Sequence, residues 1–261
     1  MSFPNVIFAG AGEQFNTYVA GRNRGLASIG RLEKGQKMEL ADGRVFRFSL
    51  AGATDLVAGN LQQSIAADTA FDTLAVQAAV AIGDTTIPFT EATTFTAEGD
   101  LEGGYLVVES AAALGHCYKI AKNAGASSGA TTETVTLEGG ETVQVPLTTS
   151  HKVTPLWSIW HNLIIATATT PTGALAGVAP VIIKTIEYGW VQTHGVASCL
   201  IVGTEVTGEP LILGATAGAI GPREFEEVTD ADRARENVPT VAIALEIAPT
   251  TDFGMVFLVL E

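Results

Sequence analysis

At 261 residues, 47% hydrophobic and only 16% charged, the chain can bury one large core or two smaller ones, but it has few charges with which to solvate its surface. Its 14 Lys plus Arg against 28 Asp plus Glu give a formal charge of -14, which argues against a nucleic-acid wrapper, because phosphate binding needs clustered cations. Cys117 and Cys199 are far apart and outside any C-x-x-C pair, which argues against a disulfide scaffold or a zinc site and reads as two reduced core residues.

The charge is unevenly spread. The first fifty residues hold seven basic and four acidic side chains, a net of +3, and the remainder is net -17. Such a molecule has two electrostatic ends. Residues 1–43 contain Gly10, Gly12, Gly21, Gly25, Gly30 and Gly35 without sustained periodicity, and read as an extended arm. Its cations Arg22, Arg24, Arg31, Lys34 and Lys37 are candidates for docking on an acidic protein surface, or else simply solvated loop residues. Pro4 and Asn5 interrupt the first apolar run, which lacks a basic flank and makes a poor secretory signal. No stretch offers the roughly eighteen consecutive apolar residues of a membrane helix.

Asp42-Gly43 predicts a turn into Arg44-Val-Phe-Arg-Phe-Ser49, whose alternation suits a half-buried strand. From Leu61 to Ile82 an alanine-rich composition with Ser64 and Asp68 as caps favours a helix. The alternation of Leu74, Val76, Ala78 and Val80 favours a strand after Asp72. Gly103-Gly-Tyr-Leu-Val-Val108, Cys117-Tyr-Lys-Ile-Ala121, Glu133-Thr-Val-Thr-Leu-Glu138 and Thr142-Val-Gln-Val-Pro146 then follow, separated by turn residues. That cadence belongs to sandwiches and barrels. These segments define a β-sandwich or barrel domain over 44–168, and the Pro and Gly of 169–180 read as a linker.

Over 181–261 short apolar runs are punctuated by single glycines at Gly189, Gly195, Gly203, Gly208 and Gly218, and the chain closes on Val241-Ala-Ile-Ala-Leu-Glu246 and Phe253-Gly-Met-Val-Phe-Leu258. This predicts a compact C-terminal β-barrel. The fold class expected is therefore mainly β, an extended N-terminal arm followed by two small β-barrel or β-sandwich units.

No catalytic constellation emerges. His116, His151, His161 and His194 fall in four separate segments, and a lone histidine lacks the orienting partner that general-base work requires. Gly10-Ala-Gly12 has Phe15 where a dinucleotide loop has its third glycine. The acidic run Glu224, Glu226, Glu227, Asp230, Asp232 and Glu236 lacks the spacing of a calcium loop and is interleaved with Arg223, Arg233 and Arg235. Trp157, Trp160 and Trp190 are candidates for a sugar-stacking platform, although buried or interfacial tryptophan is commoner in β proteins. Neither catalytic residues nor a cofactor or metal site is expected.

An ordered series of blocks resembles the decoration, or cement, proteins of tailed-bacteriophage heads. It runs through Leu40-Ala-Asp-Gly-Arg-Val-Phe-Arg-Phe48, Gly59-Asn-Leu61, Gly103-Gly-Tyr-Leu-Val-Val108, Tyr118-Lys-Ile120, Thr148-Thr-Ser-His-Lys-Val153, Pro171-Thr-Gly173, Gly177-Val-Ala-Pro180 and Trp190-Val-Gln-Thr-His-Gly195, and ends with the two closing strands. The resemblance implies a virion protein, made in the host cytoplasm and carried on the outer surface of an icosahedral capsid. Its partner would be the major capsid protein, with no direct nucleic-acid or membrane contact. Self-association as a trimer is favoured, with dimer or monomer open. A glycan- or receptor-binding head-fibre or tail module is the alternative.

Overall fold

The computed structural model describes residues 6–8, 12–19, 25–26, 30–90, 97–125, 132–223 and 239–261. The fold is mainly β, with 43% of residues in strands and 4% in helical turns. The helical turns among the described residues are three short 3-10 turns, Glu13–Phe15, Thr69–Phe71 and Ala111–Ala113. Two compact units form, one from Ala67–Ser158 and the other from Phe3–Ala66 together with Ile159–Glu261. In sequence, the first is thus an insertion into the second.

Strands β1 (Val6–Phe8), β2 (Thr17–Val19), β3 (Gly25–Leu26), β4 (Gly30–Arg31), β5 (Lys37–Glu39), β6 (Val45–Leu50) and β7 (Leu61–Gln63) precede the insertion. The insertion contributes β8 (Leu74–Ala75), β9 (Thr86–Thr90), β10 (Tyr105–Val108), β11 (Cys117–Asn123), β12 (Thr132–Leu137) and β13 (Lys152–Leu156). After it come β14 (Ile164–Ile165), β15 (Leu175–Val178), β16 (Glu187–Ile201), β17 (Pro210–Leu213), β18 (Ile220–Pro222), β19 (Ala242–Ala244) and β20 (Asp252–Val259).

The inserted unit is a six-stranded sheet in the order β8-β13-β10-β11-β12-β9. A bridge between Val76 and Phe89 and a bond from the Gln77 amide to the Pro88 carbonyl join its two ends, closing a barrel. Strict alternation makes this possible. Along β12 the buried Glu133, Val135 and Leu137 alternate with Thr132, Thr134 and Thr136, so one face fills the barrel and the other meets water. Ile87, Phe89, Leu106, Val108, Ile120 and Val153 complete the core. The buried Glu133 carboxylate accepts from the Ala124 and Thr134 amides and from Asn123 Nδ2, so it too is satisfied.

The outer unit is organised by β16, a fifteen-residue strand that serves two sheets. Its first half pairs with β6 from Tyr188 to His194, and its second half pairs with β20 from His194 to Ile201. A register break at Thr193 marks the transfer. Residues 188–193 are buried on both faces, with Tyr188 and Trp190 packed against Phe46, Phe48 and Met38 and Val191 packed against Leu56, Leu163 and Ile183. Residues 196–201 alternate instead. Here β16, β18, β17, β19 and β20 pair in a ring that returns to β16, a second closed barrel. Its core holds Cys199, Ile201, Leu211, Leu213, Ile220, Val256 and Leu258.

The observed division differs from the expected one at 44–168, 169–180 and 181–261. Strand β6 pairs with β16 across the whole insertion, a partnership that local periodicity does not encode. The expected linker contains β15, which is hydrogen-bonded to β7 and β16 and largely buried. Gly177 sits there at φ +149, where an added Cβ would lie 2.5 Å from the Gln192 carbonyl oxygen, so this glycine permits close strand approach rather than flexibility. Within the expected arm, β2 pairs with β16, and Leu32, Met38 and Leu40 are buried. β1 pairs with β5 and β3 with β4, while residues 1–5, 9–11, 20–24 and 27–29 of that arm lie outside the described residues. No α-helix forms over 61–82, where β7, a 3-10 turn, β8 and bridges at Val76 and Val80 follow one another.

Candidate interaction surface

The five cations singled out for docking do not form a described surface cluster. Lys34 is buried, and its Nζ lies 3.0 Å from Nδ1 of the buried His161. Burial, and after it the Lys34 ammonium, push the imidazole down to about 3, so His161 is neutral and accepts from the ammonium. This corrects the expectation for Lys34: it holds the interior together and is not presented to a partner. Lys37 stays at the surface with Nζ 3.5 Å from Glu39. Arg31 lies in β4, where it pairs with Gly25, and Arg22 and Arg24 are outside the described residues. Two further arginines of the basic opening are also engaged. Arg44 Nε bonds Asp42 at 2.7 Å, and Arg47 bonds Glu261 at 2.5 Å and donates to the Gly35 carbonyl.

The other sequence candidates disperse. His116 Nδ1 lies 3.0 Å from the Tyr118 hydroxyl. Nδ1 of the buried His151 accepts from the Thr148 amide, which places the ring proton on Nε2. His194 Nδ1 is 3.0 Å from the Glu261 carbonyl oxygen, and its ring meets Phe257 edge-on. Among the described residues no group of three His, Cys, Asp or Glu side chains is placed to hold a metal ion. The acidic run from Glu224 to Glu236 is outside them.

Trp190 is enclosed and donates from Nε1 to Glu13, a buried carboxylate that also accepts from Asn16 and from the Tyr18 hydroxyl. Burial, followed by that hydrogen bond to Glu13, raises the pKa of Tyr18. A ring so enclosed cannot stack on a sugar. Cys199 is a buried core thiol as expected, whereas Cys117 is exposed, a second correction. It falls on the outward phase of β11, beside the buried Tyr118.

What the structure does bring together is an apolar outward face on the C-terminal barrel. Val196 of β16 pairs with Phe257 of β20, which pairs with Ile243 of β19, which pairs with Pro210 of β17. One row along the strands, Ser198 pairs with Met255, whose carbonyl accepts from the Leu245 amide. A further row pairs Leu200 with Phe253. Phe253 and Met255 remain 50% and 48% exposed, and Val196, Ile243 and Leu245 are exposed as well. No charged side chain occupies these paired outward positions between His194 and Asp252. An antiparallel sheet with one face on a core normally turns polar residues to water, so this departure makes the face the candidate interaction surface.

Phe253 does not hang free, because its ring lies over Gly59. There an added Cβ would sit 2.4 Å from Cε1, and the backbone is at φ +74, which is why glycine is needed. The margin of the face carries carboxylates held by backbone amides. Glu246 Oε1 accepts from the Met255 amide at 2.7 Å, Asp252 Oδ1 from the Phe253 amide at 2.7 Å, and Glu209 Oε2 from the Val206 amide at 2.9 Å. Among the described residues none of the three meets a cation.

Reading the sequence for catalytic residues passed over this face, but a signal was present. In Phe253-Gly-Met-Val-Phe-Leu-Val-Leu260 both phases of the alternation are apolar, the pattern of a strand covered on both sides.

No family model matches the chain, and neither a curated protein nor a solved structure does. Fold and surface define its class as a mainly β protein built on closed barrels, one of which presents an apolar outward face with carboxylates at its margin.

Proposed function

We propose that the chain is a virion structural protein that decorates the outside of an icosahedral bacteriophage head and stabilises it by bridging capsid subunits. The observation that carries this reading is the exterior of the C-terminal barrel, a sheet face whose apolar rows call for a covering surface. The ordered sequence blocks that resemble head decoration proteins, which include both closing strands of that barrel, support it. In this reading the protein is not an enzyme. Its partner is the major capsid protein, and it self-associates, with a trimer favoured over dimer or monomer.

The physics of such a role needs no strong single contact. A protein that binds the assembled shell but not its dissociated subunits stabilises the assembly by linkage. Repetition over a closed lattice then makes weak sites effective together. A cryo-EM map of particles carrying the chain is the test. Density for both barrels at regular positions on the outer lattice is expected, with lower resistance to heat and osmotic shock in particles lacking the chain. Localisation to the tail or the particle interior would overturn the reading.

A further inference from the structure

We infer that the outward face formed by Val196, Ile243, Leu245, Met255, Phe257 and Phe253 docks a protein partner whose contact patch has an apolar centre and a rim of lysine or arginine. This rests on the head-decoration reading and deepens it by naming the attaching face and the chemistry of its partner.

Two observations select that occupant over a second copy of the chain. The first is charge. Glu246, Asp252 and Glu209 stand at the margin of the face, each oriented by a backbone amide, so their negative charges are fixed before any partner arrives. Two copies meeting through this face would oppose like carboxylates in a chain whose formal charge is already -14. A cationic rim would pair with them instead, and would find them preorganised.

The second is size. Three paired strands spaced about 4.8 Å apart, with outward residues about 7 Å apart along each, give a patch of roughly 300 Å². A stable pairwise interface uses about 800 Å² from each partner. The face is therefore too small to hold an isolated dimer, and it suits a weak site repeated many times on one particle. Phe253, steadied over Gly59, and the adaptable Met255 are the anchors.

The test uses the full chain and heads of the source virus prepared without it. A benzoylphenylalanine replacing Met255 should crosslink on illumination to a different polypeptide, at a peptide with apolar residues beside Lys or Arg. Glu246→Gln combined with Asp252→Asn keeps an acceptor oxygen for each amide while removing charge. This variant should weaken attachment about tenfold at low salt and flatten its salt dependence. Leu245→Lys, which faces solvent and leaves the core intact, should abolish attachment while the urea midpoint stays unchanged. Crosslinks between two copies through position 255, or full attachment of the Leu245→Lys chain, would overturn the inference and leave the head reading standing. Failure of the unaltered chain to attach would overturn both.

Discussion

The two barrels close by different strand orders, six antiparallel strands in one and five with a parallel β16–β18 pair in the other, and they differ in their exteriors. In the inserted barrel most outward positions are polar, including Thr132, Thr134 and Thr136 of β12, Lys119 paired with Glu138 at 2.6 Å, and Lys152 of β13, with the exposed pair Tyr105 and Leu156 as an apolar exception. In the C-terminal barrel the corresponding positions include Val196, Ile243, Leu245, Met255 and Phe257, with Ser198 as the polar member. Both interiors are filled chiefly by apolar side chains, so closure and core packing do not dictate the exterior. The inserted barrel shows that this chain can solvate a closed sheet with threonine and ion pairs. The apolar exterior of the other is thus not imposed by barrel closure.

The sharpest test of the comparison is to injure each interior alone. Leu106→Ala in the inserted barrel and Leu258→Ala in the C-terminal barrel should each cost about 2–5 kcal/mol. Followed by urea denaturation with separate probes, the first should lower one transition and the second the other. A single transition displaced equally by both would break the picture of two units.

Acid should act on the outer unit through His161. Its imidazole is depressed to about 3 in the folded chain and lies near 6.5 when unfolded, so between these values the unfolded state binds the extra proton. The stabilisation is fully present above pH 6.5 and is lost as pH falls towards 3. His161→Gln should flatten stability over that window relative to the parent chain, and an unchanged slope would refute the assignment.

A smaller loss is expected at Glu205. Its buried carboxylate accepts from the Ala248 amide, and Glu205→Ala would strand that donor at a cost of about 1–3 kcal/mol. Exchanging the exteriors should matter least to folding. Met255→Thr and Thr134→Val are each expected to change stability by less than about 0.5 kcal/mol, as solvent-facing substitutions do. A much larger loss from Met255→Thr would mean that the apolar exterior serves the fold itself, and the comparison would fail.

Much of the β character was legible in sequence because alternation and turn residues are local properties. Thr142-Val-Gln-Val-Pro146 shows the limit: it alternates like a strand, yet it runs as an irregular segment, with the Val143 amide bonded to the Asp84 carbonyl and Val143 buried. The domain boundaries were not legible. The pairing of β6 with its neighbour β5 is a local hairpin, but nothing in Phe46 and Phe48 says that the other edge of their strand pairs with Trp190 and Gln192, beyond an insertion of about ninety residues. Lys34 was misleading for a different reason. Lysine reads as surface, and burial beside a neutral His161 depends on a partner far along the chain. The candidate face was half legible, since β20 announces two apolar phases but does not say which phase meets the core.

The insertion also dictates an order of events during synthesis. The inserted barrel, Ala67–Ser158, has all its strands once residue 158 has left the ribosome, and it can close at once. Strand β6 must wait with its Phe46 and Phe48 until β16 emerges, because Trp190 and Tyr188 are what cover them. A nascent chain therefore carries a finished module and a β5–β6 hairpin whose second edge is unpaired for the time needed to translate about thirty residues, a few seconds at about 5–20 residues per second. That interval is when the outer unit is open to mispairing with another chain, and slowing translation before residue 187 would lengthen it.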